Sequence, residues 1–148
     1  MFKICSIGCG NMARSGHGPA FKKYAETYPD TQLAACCDLK IENAESFKEQ
    51  FGFKKSYTDY KLMLNEIKPD AVCLISPVDK TVDIATQMLE MGYPLILEKP
   101  PGRNKKEVKK LISAAKESGV TVRVAFNRRY TPLLAALKEF TKNEVVRN

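Results

Sequence analysis

Five short apolar runs alternate with helical patterns along the chain, and this alternation constrains the fold more than any other feature. The runs end at Ile7, Cys37, Ile75, Leu97 and Phe126. Apolar runs without polar alternation are typical of strands covered on both faces, and short helical connections join parallel strands. The sequence therefore predicts an α/β fold in which a doubly wound parallel sheet lies between two layers of helices.

The first predicted helix follows the first strand and is interrupted. Residues 11–15 can start a helix, residues 16–19 contain two glycines and a proline that interrupt it, and residues 20–28 resume it. In the resumed part, Phe21 and Tyr24 are expected to face inward.

The next two helices carry recognisable end signals. Gly52 is placed to end the helix that follows the second strand. Residues 56–57 are expected in a short connection. Asp59 is then a candidate N-cap for a helix over residues 60–67.

Later helices show similar signals. Thr81 can cap the helix after the third strand, and Asn104 with Glu107 three residues later forms a capping box. A last helix ends near residue 140. We therefore expect one domain over residues 1–140.

The formal net charge of +7 over 148 residues raises the question of a nucleic-acid partner. The densest group of lysines falls on the outer side of an amphipathic helix, where a solvated face is the simplest interpretation: Lys105, Lys106, Lys109 and Lys110. Apart from Tyr130, which follows two arginines, no aromatic residue is interleaved with basic ones as single-strand binders require. We expect no nucleic-acid partner.

The five cysteines indicate a reducing compartment. Cys5, Cys36, Cys37 and Cys73 fall in predicted strands as small core residues. Cys9 lies in the turn, where a tolerated small side chain is the favoured interpretation and a partly exposed thiol is the alternative. The cysteines lack CxxC or Cys/His spacing, so no metal site is predicted. No stretch approaches the roughly 20 apolar residues of a membrane span. We expect a cytoplasmic protein with no membrane partner.

A glycine-bearing turn follows the first apolar run directly. Gly8 to Ala13 read G-x-G-x-x-A, and a strand followed by such a turn and a helix presents free backbone N–H groups to a pyrophosphate. Gly8 allows the tight turn, Gly10 omits the Cβ that would block the phosphate, and the small Ala13 lets the helix pack closely. Asn11 and Met12 complete the candidate phosphate site. Alone the pattern is weak evidence, because glycine turns also occur in α/β proteins without a dinucleotide.

Residues that could bind a ligand or take part in chemistry also follow the other predicted strands. The carboxyl ends of parallel strands share one edge of the sheet, where doubly wound folds bind their ligands. The groups expected at this edge are Gly8–Ala13, Asp38–Leu39, Ser76–Pro77, Glu98–Lys99 and Asn127–Arg128. Their shared position favours a dinucleotide site more strongly than the glycines do.

Asp38 indicates which dinucleotide would bind. A carboxylate at the end of the second strand can accept hydrogen bonds from both ribose hydroxyls of an adenosine, and its charge would repel a 2′-phosphate. NAD is therefore favoured over NADP, although Lys40 could soften that preference. The alternative is that Asp38 simply caps the following helix.

The run LILEKP at residues 95–100, followed by Pro101 and Gly102, resembles the Gfo/Idh/MocA family of nicotinamide-dependent oxidoreductases. GCGNMA with His17 downstream, CCD after the second strand, DAVCLISP at the third and AFNRRYTP after the fifth resemble that family in the same order. The resemblance covers nearly the whole chain. It implies an N-terminal Rossmann domain that binds NAD, with NADP also possible.

The resemblance implies roles for several residues. Lys99 would lie beside the nicotinamide and the substrate as the catalytic residue. Partial burial and the positive nicotinamide would lower its pKa, so that it could help remove the substrate hydroxyl proton as hydride leaves. Glu98 would lie at the cofactor ribose, and the Lys99–Pro100 bond is a candidate for the cis form. Asn127 and Arg128 would lie near the nicotinamide end, with a surface charge as the alternative for Arg128.

The chain departs from the family pattern after the third strand. The family usually has Pro, then Asn, then a His four residues beyond the Pro, whereas this chain has Val78 and Thr81 in the last two places. Thr81, Ser76 and Pro77 remain cofactor-binding candidates. His17 is expected to be structural or adjacent to the cofactor.

Family members continue into a second domain with an open antiparallel sheet, which supplies the substrate pocket and usually an Asp or His as proton-transfer partner. Residues 141–148 are expected to begin the linker to this C-terminal α/β domain, which the chain lacks. We therefore expect NAD(H) binding without turnover by this chain alone, and a sugar- or polyol-like substrate for the full-length protein. The apolar surface left uncovered favours a homo-oligomer.

Two other function classes stay open. One is a non-enzymatic module that binds a nucleotide or mediates assembly. The other is a methyltransferase, since IGCGN is similar to the glycine loop that holds S-adenosylmethionine. Against it, Ser6 stands where that loop has an acidic residue, and Met12 stands where it has a third glycine.

Overall fold

A computed structural model describes residues 1–143, and within them a single sheet contains six parallel strands. The strands are β1 (Phe2–Ile7), β2 (Thr31–Cys37), β3 (Lys55–Tyr57), β4 (Ala71–Leu74), β5 (Leu95–Leu97) and β6 (Val122–Val124). Their order across the sheet is β3-β2-β1-β4-β5-β6. This is the doubly wound Rossmann order. Strands β2 and β3 are added on one side of β1 and strands β4 to β6 on the other, so the strand order reverses between β1 and β4. The predicted fold class is confirmed.

Helices connect the strands. In the described residues they are α1 (Gly18–Thr27), α2 (Ile41–Phe51), α3 (Tyr60–Ile67), α4 (Val78–Glu90), α5 (Lys105–Ser118) and α6 (Pro132–Asn143), with a 3₁₀ turn at Asn127–Tyr130. The expected linker at residues 141–148 overlaps the end of α6, and its remainder lies outside the described residues.

Two apolar clusters pack on opposite faces of the sheet. Cys5 and Ile7 of β1 belong to a cluster with side chains of α3, α4 and α5. Ile4 packs against a second cluster, which α1 and α2 help to build. Because alternate residues of a strand point to opposite faces, the two clusters lie on the two sides of the sheet. The predicted three-layer arrangement is therefore confirmed.

Strand β3 corrects the prediction of a short connection at residues 56–57. These residues pair with Cys36 and Cys37 of β2 and form an edge strand. The segment has only three residues, with Lys55 exposed and the other two partly buried. It therefore lacks the continuous apolar run that identifies a strand covered on both faces.

The first helix is continuous through residues 16–19, contrary to the predicted interruption. Residues 13–17 form a π-helical turn that leads directly into α1. Pro19 falls at the start of α1, where a missing N–H costs little, and the wider π turn carries the backbone past the glycines. Tyr24 is 47% exposed, so its predicted inward orientation was wrong.

Several helix ends agree with the predictions. Gly52 adopts a left-handed conformation after α2, and the Asp59 carboxylate accepts hydrogen bonds from two backbone N–H groups at the start of α3. Asn104 accepts a hydrogen bond from the Glu107 N–H, but the Glu107 carboxylate returns to Arg103 rather than to Asn104. Thr81 is no N-cap, since α4 already begins at Val78.

All five cysteines are buried and free. The alternative of a partly exposed Cys9 thiol is excluded, because its side chain points into the cluster beneath the turn and its thiol lies 3.5 Å from the Cys37 carbonyl oxygen. Cys9 therefore helps to pack the turn onto the sheet.

Helix α6 contributes little to either cluster. It lies mainly against the 3₁₀ turn before it. Its large apolar side chains are largely exposed, with Leu133 at 78%, Leu137 at 51% and Phe140 at 66%. As far as residues 1–143 show, the helix therefore presents an apolar face that no other element covers.

Candidate cofactor-binding cleft

The glycine turn joins β1 to the first helix at the point where the sheet reverses its order. Gly8 has a φ of 94°, and a Cβ built on it would lie 2.1 Å from the carbonyl oxygen of Ile75. Only glycine fits this combination of left-handed backbone and close approach to the end of β4. The requirement for Gly8 therefore arises within the fold.

Gly10 has a different environment. A Cβ built on Gly10 would have nothing within 4 Å, because the residue faces the open cleft. The helical backbone begins immediately afterwards at Asn11, and the first N–H groups of a helix have no acceptor within it. Ala13 is fully buried beneath the turn. This arrangement leaves open the space that a phosphate group would need.

Asp38 holds the turn from the end of β2. One carboxylate oxygen accepts a hydrogen bond of 2.9 Å from the Cys9 N–H, and the other accepts bonds from the Lys40 N–H and the Asn43 side-chain amide. The carboxylate thus orders both the glycine turn and the entry to α2. Each carboxylate oxygen can accept more than one hydrogen bond, so these contacts leave room for a ligand donor.

Arg14 is a structural anchor that sequence reasoning missed. Its guanidinium donates to the Cys9 carbonyl, to the Asn43 carbonyl and to the side chains of Ser46 and Gln50. These bonds tie the glycine turn to α2 across the top of β2. No local motif marks such an arginine, since three of its four acceptors lie about 30 residues away in sequence.

The opposite end of the cleft is built by the segments after β4 and β5. Glu98 is partly buried and lies 2.8 Å from Nε2 of His17, and its second oxygen accepts a hydrogen bond from the Lys99 N–H. The Lys99–Pro100 peptide bond is cis, as predicted. Lys99 itself is exposed rather than partly buried, because it lies beyond the end of β5 at the open rim.

A cleft of about 710 Å³ connects these two ends. Ten of the residues predicted for the site line it: Gly8, Gly10, Asn11, Met12, Asp38, Leu39, Ser76, Pro77, Glu98 and Lys99. Side chains that were not predicted also line it: Thr58, Tyr60, Asp79, Lys80 and Ile84. Thr58 and Tyr60 follow β3, the strand that the sequence pattern did not reveal.

Three predicted site residues do not line the cleft. Thr81 is buried within α4, where its hydroxyl lies 3.0 Å from the Ser76 hydroxyl and supports it from behind. Asn127 and Arg128 are exposed in the 3₁₀ turn after β6. Since β6 is the edge strand, two positions from β4, these residues lie away from the crevice between β1 and β4.

Within residues 1–143, no three histidine, cysteine or carboxylate side chains come together as a metal site. In the same range, no helix combines the length and hydropathy that a membrane crossing requires.

The strand order and the cleft at its switch point define a Rossmann-type nucleotide-binding domain. The chain belongs to the Gfo/Idh/MocA oxidoreductase family, because residues 2–126 match the model of that family, described as an oxidoreductase family with an NAD-binding Rossmann fold. The family predicted from EKP and its companion motifs is confirmed. The match favours an oxidoreductase domain over the methyltransferase alternative.

Known relatives agree with this assignment. D-glucoside 3-dehydrogenase of Escherichia coli is 27% identical over 97% of this chain and 40% of its own length. An oxidoreductase structure from Thermotoga maritima superposes with a TM-score of 0.87 at 28% identity, over 95% of this chain and 43% of its own. Levoglucosan dehydrogenase, solved with NADH and L-sorbose, has a TM-score of 0.85 at 25% identity over 96% of this chain and 38% of its own. The chain thus spans about two fifths of these relatives.

Proposed function

We propose that this chain binds NAD(H) in the cleft between the glycine turn and Lys99, as the cofactor domain of a dehydrogenase that acts on a sugar- or polyol-like substrate. The observation that carries the proposal is the cleft itself. It lies at the switch point between β1 and β4 and has the open Gly10 at one end and the exposed Lys99 at the other. In doubly wound folds, this crevice is the place where dinucleotides bind.

The two ends of the cleft suit the two halves of a dinucleotide. The pyrophosphate would lie over Gly10 and the start of the helix, where unpaired N–H groups and the helix dipole favour negative charge. The adenosine ribose would lie beside Asp38, with Leu39 and Thr58 lining the same part of the cleft. The nicotinamide half would then extend towards Ser76, Pro77, Glu98 and Lys99.

NAD is the preferred cofactor in this proposal. The Asp38 carboxylate can accept hydrogen bonds from ribose hydroxyls, whereas a 2′-phosphate would place two negative charges side by side. Lys40 follows within two residues and can offset part of that repulsion. We therefore expect tighter binding of NADH than of NADPH, with measurable NADPH binding.

Lys99 is proposed to handle the substrate proton. When bound, the nicotinamide ring accepts or supplies the hydride. In the oxidation direction, the neutral amine of Lys99 would accept the substrate hydroxyl proton as hydride leaves the same carbon, and in the reduction direction the resulting ammonium group would return that proton to the carbonyl oxygen. The neighbouring Glu98 and Lys99 both line this part of the cleft. The substrate pocket and a second proton-transfer group would come from a further domain, so this chain alone is expected to bind cofactor without turnover.

Thermal unfolding with candidate ligands tests the proposal. A ligand present at 100 times its dissociation constant stabilises the folded state by about 2.7 kcal/mol, which raises Tm by roughly 5–10 °C for a domain of this size. We expect this shift with NADH, a smaller shift with NADPH and none with S-adenosylmethionine. A shift with S-adenosylmethionine alone would overturn the proposal.

A charge test addresses the position of Lys99. Next to the nicotinamide, its ammonium group disfavours the positive ring of NAD⁺ relative to the neutral ring of NADH. The preference is measured as the ratio of the dissociation constants of NAD⁺ and NADH. Lys99→Met should lower this ratio by roughly three- to tenfold, as expected for charges several ångströms apart near a surface. Lys40→Met, at the adenosine end, serves as the control and should leave the ratio unchanged. Equal effects of the two variants would place Lys99 away from the nicotinamide.

A further inference from the structure

His17 occupies a position that the proposed function does not use. It is the only histidine in the chain. Its side chain is 16% exposed and lies beneath the rim of the cleft, with Nε2 at 2.8 Å from Oε1 of Glu98. The ring also packs against Phe21 of α1 at a centroid distance of 5.9 Å. The imidazole is therefore held on one side by the first helix and on the other by the residue after β5.

A second contact fixes the hydrogen on the ring. Nδ1 of His17 lies 3.6 Å from the Cys73 thiol, whose side chain is 2% exposed in β4. Burial raises the pKa of Cys73 to about 12, so the thiol keeps its proton near neutral pH. The thiol can then donate to Nδ1, and the ring hydrogen falls on Nε2, which faces the carboxylate.

The carboxylate of Glu98 is held from two directions. Oε1 accepts from the imidazole, and Oε2 accepts a hydrogen bond of 3.0 Å from the Lys99 N–H. A carboxylate with donors on both oxygens has a fixed rotamer and a fixed plane. The chain of contacts therefore runs from the core of β4 through His17 to the rim that carries Lys99.

We propose that His17 is a positioning residue. It accepts a hydrogen bond from the buried Cys73 thiol, donates one to Glu98, and so fixes that carboxylate at the nicotinamide end of the cleft. The functional part of this inference, an effect of His17 on cofactor binding, rests on the proposed function. The geometric part, the position of the hydrogen on the His17 ring, can be tested in the chain without a ligand.

Nitrogen NMR of the imidazole tests the geometric part. Because the chain has one histidine, its ring nitrogens need no residue assignment. In the wild-type chain without ligand, we expect the neutral form of the ring to carry its hydrogen on Nε2. Cys73→Val should increase the population of the other tautomer, whereas Cys5→Val, at a fully buried thiol in β1, should not. A ring with its hydrogen on Nδ1 in the wild-type chain would overturn the inference.

Binding of two ligands tests the functional part. His17→Phe should weaken NADH binding roughly tenfold or more, as expected when a hydrogen bond to a charged group is lost, and should leave ADP binding unchanged. His17→Gln keeps an N–H donor and should recover part of the loss. Equal losses for NADH and ADP would indicate a merely structural role for His17, and unchanged NADH binding would also overturn the inference. If the wild-type chain binds neither ligand, the proposed function fails, while the tautomer result still decides the geometric part.

Discussion

Replacing Gly8 with alanine tests whether the glycine turn is required by the fold itself. At a φ of 94°, an alanine has a left-handed backbone that costs about 1–2 kcal/mol. Its Cβ would also lie 2.1 Å from the Ile75 carbonyl oxygen, which is backbone and cannot turn away. Such overpacking costs about 1–3 kcal/mol more. We expect the free energy of unfolding to fall by about 2–5 kcal/mol.

Urea denaturation followed by far-ultraviolet circular dichroism measures this loss. With a slope of about 2 kcal/mol per molar urea, the midpoint should fall by roughly 1–2.5 M. Gly10→Ala is the matched control, because its Cβ meets nothing within 4 Å and its φ lies outside the left-handed region. That variant should stay within about 1 kcal/mol of the wild type. A Gly8→Ala protein as stable as the wild type would refute the reasoning.

Three further predictions concern buried groups and the free surface. Burial raises the pKa of the thiols of Cys5, Cys37 and Cys73 to about 12. Above about pH 9 the unfolded chain therefore loses thiol protons that the folded chain keeps, and the unfolding free energy should fall by about 1.4 kcal/mol per thiol for each pH unit. Urea denaturation at pH 8, 9 and 10 with a reductant checks this decline, which a flat profile would contradict. Ser6→Ala should stabilise the fold by about 1 kcal/mol, because the buried Ser6 hydroxyl has no partner among the described residues; a lower Tm would contradict this. Light scattering should detect self-association through the apolar face of α6, and the variant Leu137→Glu should self-associate less. A wild-type chain that stays monomeric at high concentration would count against this prediction.

The layers and the cleft edge could be predicted because they depend on local patterns. Continuous apolar runs identify the buried strands, and a parallel arrangement brings their carboxyl ends to one edge. That reasoning placed Gly8, Asp38, Ser76 and Lys99 along the same cleft, as the structure shows.

The remaining features depend on tertiary contacts that carry no local signal. The edge strand β3 has three residues of mixed polarity, so only its pairing with β2 defines it. Asn127 follows a strand end like the others, but the position of β6 at the sheet edge takes it away from the cleft. The contacts of His17 with Cys73 and Glu98 join residues 56 and 81 positions apart, a separation that no periodicity reveals.

Calorimetric titration of NADH into this chain tests the central claim most directly, namely that the cleft between β1 and β4 binds a nicotinamide dinucleotide. We predict saturable binding with one site per chain, and its loss in Gly10→Ala, where a methyl group would occupy the space left for the pyrophosphate. Circular dichroism of the same samples should show both proteins folded. Absence of binding heat from the folded wild-type chain, with NADPH as well as NADH at several temperatures, would contradict the account.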